Sequence, residues 1–234
     1  MIICDNCDKK MTVENFNGFG DNVCSKECNI AKVSKRLLKT YGFEDEYSKK
    51  TLELFDFSQI SCPKYKGDLK AEIERYIKNP DRNGWYFTSL VGRGKSHIAI
   101  GITHALIIKY AWRVKIIHTV DFMNSLKARL RNYQDIEGII DKVKTITLLV
   151  LDDLGIEMFG PIEKTKFSRD TMFEIIDHRV RKDLPMIITS NYLIKDFPDE
   201  RIASRLIEKC RVREIHGSDY RIKLNRKLNE AVSV

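Results

Sequence analysis

The stretch Trp85-Tyr-Phe-Thr-Ser-Leu-Val-Gly-Arg-Gly-Lys-Ser-His97 limits what this chain can fold into more than any other part of it. A short apolar strand runs into a glycine loop, and sixteen residues with apolar side chains on most sides follow, Lys95 to Tyr110. That pattern reads as a buried helix. Gly92 and Gly94 let the backbone curl so that its N–H groups point inward, which makes a cradle for phosphate oxygens. The start of the helix adds its positive dipole end. Val91, Gly92, Arg93, Gly94, Lys95, Ser96 and His97 form this cradle, with Lys95 placed for the β- and γ-phosphates and the Ser96 hydroxyl for Mg²⁺. The pattern departs from G-x-x-x-x-G-K-[ST] at its first position, where Ser89 stands.

Two further apolar runs end in polar residues. Leu148-Leu-Val-Leu-Asp-Asp153 delivers two carboxylates to a strand end. Open α/β sheets bind ligands at that edge. Asp152 is expected to hold Mg²⁺ through water, and Asp153 to orient the attacking water. Met186-Ile-Ile-Thr-Ser-Asn191 is the third run; its Asn191 can bond the γ-phosphate or the water, with Ser190 a weaker candidate. Arg201, Arg205 and Arg221 come later, and arginines there can neutralise transition-state charge in cis or from a neighbouring subunit. Taken singly, each of these features has a plainer reading: a turn before a helix, an acidic or asparagine turn after a strand, solvated basic residues on a helix.

Around these runs, strands and helices alternate. Helices are expected over 28–39, 67–79, 121–131, 136–144, 164–182, 200–209 and 220–230, with strands at GWYFTS, VKIIHTV, TLLVLDD, PMIITSN and RVREI. Such alternation predicts a parallel sheet wrapped by helices. Residues 1–41 form a cysteine-rich unit, 42–65 a polar connector, and 66–234 the α/β domain.

Four of the six cysteines fall in the first 28 residues, as Cys4-x2-Cys7 and Cys24-x3-Cys28 with sixteen residues between the pairs. Two close pairs of thiolates suit tetrahedral Zn²⁺, and a unit this small lacks the core to fold without such help. Unliganded thiols in a small helical cap are the plainer alternative. Cys62 and Cys210 are expected to be ordinary core or surface residues.

Lysine and arginine outnumber acidic residues by 41 to 33, a net +8, and 201–234 holds part of the excess. That balance suits either a polyanionic partner such as nucleic acid or a solubility surface. No apolar run is long enough to span a bilayer, and MIICDNCDKK has no secretory pattern, so a cytoplasmic protein is expected.

The motifs VGRGKSHIA, LLVLDDLGIE, IIDHRV, IITSN, RIASRL and SDYR, in this order, resemble the AAA+ ATPases of the bacterial helicase-loader group. These are the DnaC and DnaI loaders with the related IstB transposition ATPases, and the likeness covers about 47–228. The resemblance implies an AAA+ P-loop domain without the helical lid of many other AAA+ proteins, ATP and Mg²⁺ as cofactors, and ATP hydrolysis that is weak without a partner. By position, Asn191 looks like sensor 1, Arg221 like sensor 2, and Arg205 like the arginine finger, with Arg201 second choice. Glu157 matches a family acid of unassigned role. An arginine finger implies self-assembly. The implied partners are a hexameric DnaB-type replicative helicase and single-stranded DNA, the N-terminal zinc module docking on the helicase. An IstB-like helper on duplex DNA with a transposase, and a nucleotide-dependent adaptor that barely hydrolyses ATP, are the two other readings.

Overall fold

The computed structural model describes Ile2–Ile3, Cys7, Lys10–Met11 and residues 25–222 except 46. Near the start, β1 (Ile2–Ile3) pairs antiparallel with β2 (Lys10–Met11). The first long element is α1 (Lys26–Thr40), where the Ser25 side chain accepts from Cys28 N. Then come β3 (Ile60–Ser61), α2 (Leu69–Lys78) capped by Asp68, β4 (Gly84–Thr88), α3 (Lys95–Tyr110) and β5 (Val114–His118). The chain continues through α4 (Thr119–Arg131), α5 (Glu137–Thr145), β6 (Leu148–Asp152), α6 (Ile162–Arg181) and β7 (Met186–Ser190). It closes with α7 (Glu200–Lys209), β8 (Cys210–Glu214) and β9 (His216–Gly217), the last paired with β3. The expected terminal helix is described only at residues 220–222; its remainder lies outside the described residues.

Five strands form one parallel sheet in the order β5-β6-β7-β4-β8. It is the parallel α/β architecture the alternation predicts. The strands read as unbroken apolar runs because both faces are covered. Trp85, Phe87, Leu148, Val150 and Ile187 point to one side and pack with α1, α2 and α3. Tyr86, Leu149, Leu151, Met186 and Ile188 point to the other and pack among residues of α4, α5, α6 and α7. Alternation along each strand thus splits the core into two layers.

Helix α3 lies under the sheet and is apolar nearly all round, as a helix enclosed by neighbours must be. On its far side sit α1 and the connector. Val33 and Leu37 of α1 are core residues, and Ser34 Oγ donates to Ile107 O at 2.6 Å. Leu52 packs on Gly101, and Phe43 sits beside the His104 ring.

Arg179, from the IIDHRV motif, is fully buried. Its guanidinium donates to the carbonyls of Val143, Lys144, Ile146, Thr147 and Pro185, so it ties the end of α5 to the entries of β6 and β7. Burial pushes its pKa down to about 10.

Candidate nucleotide site

Three neighbouring parallel strands, β6, β7 and β4, end at one edge of the sheet and present their motifs side by side. Gly94 precedes α3 with φ +85 and Gly92 has φ +76, the left-handed conformations that the loop's curl demands. Ser89 is not among the positive-φ residues; its N–H donates to Ser190 O at 3.4 Å and its hydroxyl to Leu90 O at 2.8 Å. The first loop position therefore needs no glycine on conformational grounds.

Lys95 is only 5% exposed. Its Nζ donates to Asn191 Oδ1 at 2.8 Å, Ser89 O at 3.0 Å, and Ser89 Oγ and Leu90 O at 3.2 Å. Burial lowers the Lys95 pKa, while Asp153 and Asp152 push it back up. Ser96 Oγ donates to Asp152 Oδ1 at 2.7 Å. That pair is the hydroxyl–carboxylate set a hard divalent cation takes beside phosphates. Thr189 Oγ1 donates to the same Asp152 oxygen at 2.6 Å and accepts from Asp153 N at 2.9 Å. Thr189 was not singled out from sequence, because a threonine inside an apolar strand gives no signal of its own.

Asp153 has φ +57, costly for a non-glycine residue and frequent at functional sites. Burial raises its carboxyl pKa and the Asp152 charge raises it further, against Lys95, His118 and Arg221. His118 closes β5 beside Asp152, and its Nε2 lies 3.8 Å from Asp153 Oδ2. The turn after Asp153 is held by Glu157. Glu157 Oε2 accepts from Thr119 Oγ1 at 2.8 Å and Gly155 N at 3.0 Å, and the Thr119 hydroxyl also lies 3.1 Å from Asp153 O. Burial raises the Glu157 pKa. The acid of DDLGIE therefore braces the turn that carries Asp153.

The remaining sequence candidates lie as follows. Asn191 faces Lys95. Ser190 turns inward, its hydroxyl donating to Leu154 O at 2.7 Å. His97 points to the connector: its Nε2 is 2.8 Å from Thr51 O, and its ring meets the Phe55 edge. Phe55 in turn covers Gly94. Val91 is exposed, and the Arg93 charge is felt at Lys95. Arg221 is exposed and its charge is felt at both Lys95 and Asp153. Arg201 bonds Asp199 at 2.8 Å and Asp170 at 3.1 Å and stacks on Phe173. Arg205 bonds Asp177 at 2.9 Å and Glu208 at 3.0 Å. Cys4 and Cys24 lie outside the described residues; Cys7 and Cys28 are described, with sulfurs 3.6 Å apart. Among the described residues there is no group of three or more His, Cys, Asp or Glu that could hold a metal.

The model of the IstB-like ATP binding proteins matches residues 19–228. The protein YqaM of Bacillus subtilis is 26% identical over 88% of this chain and 67% of its own length. The replicative helicase loader DnaI of Bacillus subtilis is 26% identical over 72% of this chain, which spans 51% of that loader. Among solved structures, the DnaC helicase loader superposes with a TM-score of 0.59 at 24% identity, covering 73% of this chain and 98% of that one. The phosphate loop, the paired aspartates and the parallel sheet that joins them lie inside the matched span, and the chain belongs to the IstB-like ATP-binding family, with the AAA+ P-loop ATPase fold it shares with the DnaC and DnaI helicase loaders.

Proposed function

We propose that the protein is an ATP-driven loader that places a hexameric replicative helicase on single-stranded DNA in the cytosol. The observation that carries this is the joined set Lys95, Ser96, Asp152, Asp153 and Asn191, in a chain similar to two named helicase loaders. The loop N–H groups and Lys95 take the phosphates. The Ser96 hydroxyl and Asp152 would hold Mg²⁺, which would supply charge neutralisation at the phosphates. Asp153 orients the attacking water and accepts its proton, and Asn191, released from Lys95, bonds the γ-phosphate or that water. Arg221 adds charge from its own chain and Arg205 from a neighbour, so hydrolysis waits on self-assembly.

The division into a cysteine module (1–41), a connector (42–65) and an ATPase domain (66–234) belongs to the same reading, with Cys4, Cys7, Cys24 and Cys28 on one Zn²⁺. Two sulfurs on a tetrahedral zinc at about 2.3 Å stand about 3.8 Å apart, and the Cys7–Cys28 separation of 3.6 Å fits. Helix α1 shares the core beneath α3, so a test of the module must leave α1 in place.

Native mass spectrometry of the full chain with a hexameric replicative helicase, with and without ATP·Mg²⁺, tests the proposal. A complex that Cys4→Ser/Cys7→Ser weakens supports the loader and its zinc module. No complex under any nucleotide condition sinks the loader reading and turns attention to duplex DNA and a transposase.

A further inference from the structure

The SDYR motif is seated directly on the phosphate loop. Tyr220 N donates to Gly92 O at 3.0 Å. A Cβ built on Gly92 would lie 2.0 Å from Asp219 Oδ1 and 2.2 Å from its Cγ. The Asp219 carboxyl thus fills the space that any other residue at 92 would need. The same Oδ1 accepts from Arg221 N at 2.8 Å, the contact by which an aspartate caps the first turn of a helix. Upstream, the chain is led to this point by two anchors. Ile215 N donates to Thr88 O at 2.8 Å at the end of β4, and β9 pairs with β3. Two residues beyond Asp219, the Arg221 charge reaches both Lys95 and Asp153.

We propose that Asp219 is the positioning residue for Arg221: by filling the notch at Gly92 and capping the turn that follows, it docks that arginine on the phosphate loop. The argument rests on reading the loop as an ATP site. An exposed arginine has many rotamers, and its side chain can meet a phosphate repeatedly only if its backbone is fixed. The contact between residues 92 and 219–220 supplies that fixed point. It also gives Gly92 a reason beyond its φ, since the close approach of Asp219 excludes a side chain there.

The test is a set of full-length chains: wild type, Asp219→Ala, Asp219→Asn, Arg221→Ala and the double variant Asp219→Ala/Arg221→Ala. Each is titrated with a fluorescent ATP analogue in the presence of Mg²⁺, with Lys95→Ala as the weak-binding control and thermal unfolding as the check on folding. Arg221→Ala is expected to weaken binding about tenfold. Asp219→Ala should weaken it about fivefold, the scale of a lost cap. Asp219→Asn keeps a capping acceptor and should restore binding to within about twofold of wild type. The double variant should bind no more weakly than Arg221→Ala alone, because Asp219 acts through Arg221. Losses that multiply in the double variant overturn the proposal, as does an Asp219→Ala chain that binds like wild type. If Asp219→Ala does not fold, an Asp219→Asn chain that folds but binds as weakly as Arg221→Ala overturns it as well. A wild type that binds no more tightly than Lys95→Ala sinks the ATP reading itself and this inference with it, an outcome distinct from the others.

Discussion

The acidic cluster of the site and the arginines proposed to complete it form two halves built by different means. Ser96, Asp152, Thr189 and Asp153 are joined by hydrogen bonds of 2.6 to 2.9 Å across the ends of adjacent strands and the phosphate loop. Arg201 and Arg205 are instead occupied by Asp199, Asp170, Asp177 and Glu208 of their own region. The first half is fixed by the sheet, whose strand ends hold these side chains on one another. The second is held in partly exposed ion pairs, which solvent screens and which contribute little to stability. On the proposed reading, Arg205 exchanges its carboxylates for a neighbour's phosphates at small cost, whereas any change among the strand ends disturbs the whole constellation.

The largest effect is expected within the fixed half. Asp153→Asn removes the proton acceptor and leaves the phosphate contacts, so steady-state ATP hydrolysis should fall about a hundredfold to a thousandfold, with ATP affinity within about twofold. Equal residual turnover in the two chains would favour the non-hydrolysing adaptor. The same residue sets the pH dependence. The carboxylate must be ionised to accept a proton, and its pKa is raised by burial and then by Asp152. The kcat/KM for ATP, which reports the site before Mg²⁺·ATP binds, should thus be full above that raised value and fall as the pH drops through it, at a higher pH than an ordinary aspartate would give. A pH–rate profile of wild type whose acidic limb lies at the ordinary aspartate position would remove Asp153 from the role.

Next in size is Lys95→Ala. The ammonium is buried against four acceptors and faces Asp152 and Asp153. Its loss should weaken ATP about a hundredfold, read by titration with a fluorescent analogue. Binding within a few-fold of wild type would mean that phosphates do not lie on this loop.

What the sequence made legible follows the same division. The strand-ending motifs could be read because apolar runs covered on both faces lead to residues whose side chains must face one edge. Lys95–Tyr110 and Glu200–Lys209 form helices over the expected residues for related reasons, one through an enclosed apolar surface and the other through a clean amphipathic face behind Asp199. Thr189, Thr119 and Asp219 were passed over as functional residues. Their importance comes from partners 36, 38 and more residues away, and a threonine in a strand looks like any β-branched residue. Glu157 was noticed but had no role until its contacts with Thr119 and Gly155 were seen. Residues 42–65 read as a polar connector, yet Phe55 within it lies on Gly94 and His97.

The arginine half should respond more weakly and only in company. Arg205→Ala is expected to lower hydrolysis at least about tenfold at protein concentrations that support assembly, and to change it little in dilute protein. Its effect on thermal unfolding should be small, because the pairs it loses are exposed to solvent screening. A tenfold loss that is independent of protein concentration would place Arg205 in the site of its own subunit and erase the distinction between the two halves.

The smallest effect is expected at Ser89, the one position where the loop departs from its usual glycine. If that departure impaired the site, Ser89→Gly would tighten ATP binding strongly. The backbone at 89 is outside the positive-φ region, and its hydroxyl accepts from Lys95 Nζ at 3.2 Å while donating to Leu90 O. Serine therefore fits the fold of the loop and adds one of four contacts that hold the lysine. Replacing it with glycine should change ATP affinity by less than about threefold, since the ammonium keeps its other three acceptors, and should cost about 0.5–1 kcal/mol of stability through backbone entropy. Titration and thermal unfolding of the same chain separate the two effects. A gain in affinity of tenfold or more would show that Ser89 holds Lys95 back, and would move the first loop position from the fixed half of the site to the half that ligands must rearrange.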